Sequence, residues 1–116
     1  MANRIAANSK SAVDILRCEG NLNPNRMVEV KNRVSRLIHR KKHRYFLLDL
    51  KNARNIDIAS ISILMDRIQK VRSLKGDIKL FNLRPRVQQV LTQLGVGHFV
   101  ETFSNEEEAR RSFVAA

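Results

Sequence analysis

Two hydrophobic periods alternate along this chain, and their order leaves few folds open. A period of two marks strands, and a period near 3.6 marks helices. Residues 11–19 alternate as a strand after Ala12, and Gly20-Asn-Leu-Asn-Pro-Asn25 follows as a turn. Asn23 before Pro24 reads as a helix N-cap with proline in the first helical position. Met27, Val30, Val34, Leu37 and Ile38 then share one helical face, which ends in the run His39 to Arg44. Tyr45 to Leu50 is a buried strand, and Lys51 to Asn55 is a polar loop. Asp57 opens a second helix, to about Leu74, whose inward stripe is Ile58, Ile61, Leu64, Met65, Ile68 and Val71. Gly76 closes it as a left-handed terminal residue. Residues 77–82 are a third strand, and Arg84-Pro85 starts a third helix with Val87, Val90, Leu91 and Leu94 inward. Phe99 to Glu101 is a last short strand. Ser104 and Glu107 form a capping box for a terminal helix.

Such alternation defines an α/β domain. The expectation is a mixed, mostly parallel sheet of four or five strands with four helices. Residues 1–10 are an amino-terminal segment in which residues 3–7 can add a short edge strand, and residues 11–116 form the domain. At 116 residues the chain builds one core, not two. No apolar run reaches the roughly 20 residues of a membrane span, and the amino terminus lacks the apolar stretch of a secretory signal. The single Cys18 has no internal disulfide partner, which fits a reducing cytoplasm, and it reads as a small buried hydrophobe in a strand.

The charge is unusual: 22 Lys and Arg stand against 11 Asp and Glu, for a net +11. A balance of this kind concerns partners rather than fold. It favours an acidic protein surface, nucleic acid or an anionic membrane as counterpart. Arg26, Arg33, Arg36, Arg40, Lys41, Lys42 and Arg44 concentrate it in one stretch, where Glu29 is the lone acid. A patch of this type can hold phosphates, although a plain solvated face accounts for it equally well. Phe46, Phe81 and Phe99 lie in strands and read as core rather than as stacking platforms for bases.

No catalytic constellation emerges. The glycines do not make a phosphate-binding loop, and no nucleophile has an adjacent histidine base. Asp49 and Asp57 lie eight apart, but the first alternates within a strand and the second reads as a helix cap. His39 and His43 share a helical spacing used by metal sites, yet cations surround them and no acid or cysteine adjoins them in sequence. The expectation is therefore a non-enzymatic chain with no cofactor and no metal.

The order of motifs resembles the STAS domain, the fold of bacterial anti-sigma-factor antagonists. The carrying residues are Tyr45-Phe-Leu-Leu-Asp-Leu50, a short polar stretch, and Ile56-Asp57 opening a helix. Gly20 in Glu19-Gly-Asn-Leu22, the step Lys75-Gly76-Asp77 to Arg84-Pro85, the run Val90 to Phe99 and Glu107-Glu108-Ala109 extend the likeness over residues 11–114. The resemblance implies a protein-binding regulator or signalling scaffold in a partner-switching pathway of transcription control. Its partner would be an anti-sigma factor or kinase-like regulator. The family pattern after the aspartate is Ser-Ser-Gly, with the second serine as phospho-acceptor. Here those positions hold Ile58, Ala59 and Ser60, so the acceptor would be lost. Ser60 as a displaced acceptor competes with the plainer reading of a first-turn serine contacting backbone.

A row on the second helix, Ala59, Ile63, Arg67, Lys70 and Leu74, is spaced by four and three and reads as outward. With Asp57 and Ser60 it forms the expected partner surface: Asp57, Ala59, Ser60, Ile63, Arg67 and Lys70. The alternative from another class is a basic adaptor that binds nucleic acid or an anionic membrane through residues 26–44.

Overall fold

The computed structural model describes residues 13–114. Strand β1, Val13–Leu22, leads through helix α1, Pro24–Lys41, into β2, Tyr45–Ile56. Helix α2, Ile58–Ser73, connects to β3, Asp77–Phe81, and α3, Pro85–Gln93, is followed by a 3-10 turn at Val96–His98. The two-residue strand β4, Thr102–Phe103, and helix α4, Glu106–Val114, complete the order. The four strands lie side by side in chain order, and every neighbouring pair is parallel. The expected α/β class and four helices are present. The sheet is wholly parallel among the described residues rather than mixed. The candidate strand at residues 3–7 lies outside them.

Right-handed crossovers between adjacent parallel strands place their helices on one face. Accordingly α1, α2 and α3 share one core, in which Met27, Val34, Leu64, Ile68, Val87 and Leu91 pack on Leu16, Phe46, Leu48 and Ile78. The opposite face carries a smaller cluster of Leu47, Phe81, Ala109 and Phe113, covered by α4. Because β2 is central and covered on both sides, Phe46 to Leu50 are all buried. A nearly continuous apolar run, broken here by Asp49 alone, is how an interior parallel strand reads.

Several local expectations are corrected. Lys51 to Asn55 is not a loop but the second half of β2, paired with β1 through two register shifts. Its polar side chains fooled the periodicity because β3 pairs only as far as Asp49↔Phe81, so this half has a strand on one side alone. Gly20 to Leu22 likewise stays in β1, with Gly20 at φ 74 beside one of the shifts, a conformation that glycine adopts without strain.

The left-handed residue after α2 is Lys75, at φ 70, not Gly76. Gly76 is needed for another reason: a Cβ there would overlap the Arg44 carbonyl oxygen, which also accepts from the Asp77 amide at 2.9 Å. The last strand is Thr102–Phe103 rather than Phe99 to Glu101, because Val96–His98 turns as a 3-10 helix first. Asn105, not Ser104 with Glu107, caps α4, accepting from the Glu108 amide at 2.9 Å. Ile58 and Leu94, expected inward, stand 65% and 40% exposed.

Long-range polar ties hold the layers in register. His43 Nδ1 lies 2.6 Å from Asp14 Oδ2, an acid 29 residues away that the local sequence could not reveal. Arg72 joins three elements: its Nε reaches Asp77 at 2.9 Å, its Nη2 donates to the Phe99 carbonyl at 2.7 Å, and it stacks 4.7 Å from the Phe99 ring centre. Cys18 is buried in β1 as expected, and burial, then the nearby Asp49, pushes its thiol up to about 11 against the pull of Arg33.

Asp49 is 7% exposed on the α4 face and pairs with Arg17. Burial alone would raise its carboxyl. The Lys51 amide, Arg17 and Asn82 outweigh that and hold it below the usual carboxylate range. A carboxylate depressed on folding stabilises the fold above the unfolded value, and that contribution is lost as pH falls through the folded value. Asp49→Asn is therefore expected to cost about 1–2 kcal/mol at neutral pH. In urea titrations repeated at decreasing pH, the gap from the parent protein closes below the ordinary carboxylate range. A gap that stays constant down to the most acidic point would contradict this role.

Candidate functional site

The amino end of α2 is built by a cap. Asp57 sits in extended geometry at φ −103 and ψ 172, and its Oδ1 accepts from the Ser60 amide at 2.7 Å. The Ser60 side chain and then the Ser60 amide hold the Asp57 carboxyl below its ordinary range. The Ser60 hydroxyl is nonetheless fully buried and has no partner of hydrogen-bond geometry. Ala59 faces solvent, as does Ser62, whose hydroxyl donates to the Ile58 carbonyl at 3.1 Å.

Of the expected partner surface, the structure leaves Asp57, Ala59 and Lys70 exposed, and it buries Ser60. Ile63 and Arg67 do not point outward. Both are half-buried in the seam with α1, against Met27, Val30, Lys31 and Val34, and Arg67 Nε lies buried there without a bonded partner. The reason is that α2 packs sideways on α1 as well as down on the sheet, so it buries a broader arc than one stripe. Leu74, at the far end of the same row, is exposed.

The surface that does open beside Asp57 is on the other flank. Ile58, Ile61, Ser62, Met65, Asp66 and Gln69 of α2 face Leu94 and Val96 across an open cleft of about 460 Å³. Periodicity missed this groove because Ile58 and Leu94 fit their inward stripes by spacing. Each lies at a helix end, where the stripe runs past the covered part of the sheet. That terminal position was the available signal.

All seven cations of the basic stretch, Arg26, Arg33, Arg36, Arg40, Lys41, Lys42 and Arg44, are exposed, and none ion-pairs among the described residues. Arg33, Arg36, Arg40 and Lys41 surround a shallow cleft of about 190 Å³ floored by Leu37. His39 is exposed, while His43 turns to Asp14, so the two histidines do not act together. No group of three or more His, Cys, Asp or Glu among the described residues is arranged to hold a metal ion.

With a four-stranded parallel sheet and a capped helix leaving its central strand, the chain belongs to the STAS domain family, whose profile matches residues 4–109. It is similar to an anti-sigma F factor antagonist of Paenibacillus polymyxa, at 22% identity over 95 residues, covering 82% of this chain and 81% of that one. Among solved structures it resembles a candidate anti-sigma factor antagonist of Thermotoga maritima, with a TM-score of 0.76, 21% identity and 85% of each chain covered. It also resembles the anti-sigma factor antagonist SpoIIAA in its unphosphorylated form, with a TM-score of 0.66, 16% identity, and 97% and 91% of the two chains covered. No helix among the described residues is long and apolar enough to cross a membrane.

Proposed function

We propose that this chain is a non-catalytic, cytoplasmic binding domain that docks a regulatory protein at the amino end of α2, as a constitutive member of a partner-switching system. The observation that carries this reading is Ile58. A large aliphatic side chain 65% exposed, beside a capped helix start and on the rim of a groove with Met65, Leu94 and Val96, is an apolar anchor that its own fold leaves largely uncovered. The partner class is an anti-sigma factor or kinase-like regulator, by analogy with the antagonists that the chain resembles. An acidic rim on that partner would meet Lys70 and the net charge of +11.

The same geometry supports loss of the phosphorylation switch. Ala59 occupies the exposed place where a hydroxyl would meet a kinase, and alanine has none. Ser60 is fully buried, so a kinase reaches it only by unfolding the first turn. A phosphate there would bring nearly two negative charges beside Asp57. The test is affinity capture of the full chain from native lysate, followed by incubation of the complex with ATP. A stoichiometric complex with a kinase-like protein should survive ATP, with residues 57–62 unmodified by mass spectrometry. The A59S variant should acquire phosphate at that position and release the partner. Stoichiometric phosphate on Ser60 or Ser62 of the parent chain would overturn the lost switch.

A second reading rests on α1. Its exposed cations, unpaired among the described residues, suit a basic adaptor for nucleic acid or an anionic membrane surface. Binding of nonspecific RNA that falls steeply with salt, and is lost in an Arg33→Glu, Arg36→Glu variant, would favour it.

A further inference from the structure

We infer that the end of the molecule opposite the α2 groove is a docking surface for an anionic phospholipid bilayer, built where the connections into β2 and β3 meet. It deepens the basic-adaptor reading of α1, on which it rests, and it shares no residue with the groove. Parallel topology brings the carboxyl ends of α1 and α2 to the same end of the sheet, because each helix runs back to start the next strand. The two connections touch there. The Arg44 carbonyl accepts from the Asp77 amide at 2.9 Å, and Gly76 packs so closely on Arg44 that it has no room for a Cβ.

Arg40, Lys41, Lys42 and Arg44 come from the end of α1 and the first connection, and Lys75 comes from the second. All five are exposed, and none has an ion pair among the described residues. The two acids that adjoin them are already engaged, Asp14 with His43 at 2.6 Å and Asp77 with Arg72 at 2.9 Å. Each helix end contributes only about half a negative charge. Most of the positive charge at this end is therefore uncompensated.

Leu74 is what selects a bilayer. It ends α2 immediately before Lys75 and stands 39% exposed. An aliphatic side chain set among cations is the pattern of an interfacial anchor: the cations meet anionic headgroups while the side chain enters the acyl boundary. Clusters of roughly four to eight Lys and Arg are enough to recognise an anionic leaflet. Nucleic acid is held by aromatic platforms as well as by charge, and the aromatics that reach this end, Tyr45 and Phe113, pack on each other with ring centres 5.2 Å apart. The groove at Ile58 lies at the other end of a helix of 16 residues, about 24 Å away. A chain seated on a bilayer in this way would hold its partner groove clear of the lipid.

The experiment is co-sedimentation of the full chain with phosphatidylcholine vesicles, with and without phosphatidylglycerol, at about 0.15 M salt. Saturable binding is expected only when phosphatidylglycerol is present. A Lys41→Gln, Arg44→Gln, Lys75→Gln variant should weaken it about a hundredfold. A Lys51→Gln, Arg54→Gln, Arg86→Gln variant removes the same charge from exposed positions toward the far end and should weaken it by no more than about threefold. Leu74→Ser should weaken it about fivefold while leaving its salt dependence unchanged. Thermal melts establish that each variant is folded before comparison. Equal weakening by the two triple variants would overturn the surface as a diffuse response to net charge, and a silent Leu74→Ser would overturn the bilayer as its occupant. Nonspecific RNA held where the anionic vesicles are not would overturn this inference and leave the α1 reading standing. Binding of neither would sink both.

Discussion

Ile58→Glu is expected to weaken partner capture about thirtyfold or more, corresponding to about 2 kcal/mol, while leaving the unfolding midpoint unchanged. The side chain is 65% exposed, so its replacement removes little from the core. In the proposed complex it is an apolar anchor, and a carboxylate would be driven into a desolvated groove beside Asp57, where like charges are costly. Lys70→Glu, at an exposed rim position, should weaken the complex less. The Arg33→Glu, Arg36→Glu variant separates the readings. If it abolishes capture while Ile58→Glu is silent, the docking surface lies on α1 and the basic-adaptor reading takes its place.

Gly76→Ala is expected to lower stability by about 3 kcal/mol, a large effect for a single methyl group. The added Cβ would overlap the Arg44 carbonyl, which is main chain and is itself bonded to the Asp77 amide at the start of β3. Relief requires β2 and β3 to separate at their first pair, Tyr45↔Asp77. Gly97→Ala is the control, because nothing lies within 4 Å of the position its Cβ would take. Chemical denaturation that gave the two variants similar free energies would show that the strands absorb the methyl group cheaply.

The parts of this fold legible from sequence were those set by local chemistry. Asn23 and Asp57 both cap as expected, with their side chains on the amides of Arg26 and Ser60. The run from Phe46 to Leu50 announced a doubly covered central strand. What escaped was set by neighbours distant in sequence. Lys51 to Asn55 is strand because β1 pairs with it, and polar because β3 stops short. Ile63 and Arg67 satisfied an outward spacing, but α1 lies alongside and covers them. The groove at Ile58 depended on where two helices end relative to the sheet, which no helical period encodes.

The bonds of Arg72 bear on how such a groove would engage. One wall of the groove is α2, and the other includes Val96, at the start of the turn that leads to Phe99. Arg72 spans from α2 to the Phe99 carbonyl and the Phe99 ring while also gripping Asp77. The two walls are thus braced against each other before anything arrives. A protein seated between them would meet a preorganised surface, and little of its binding energy would go to ordering this side. Loosening the brace, as in Arg72→Ala, would then show itself chiefly as a slower approach to the bound geometry and a greater entropic cost of association, even though Arg72 itself lines no part of the groove.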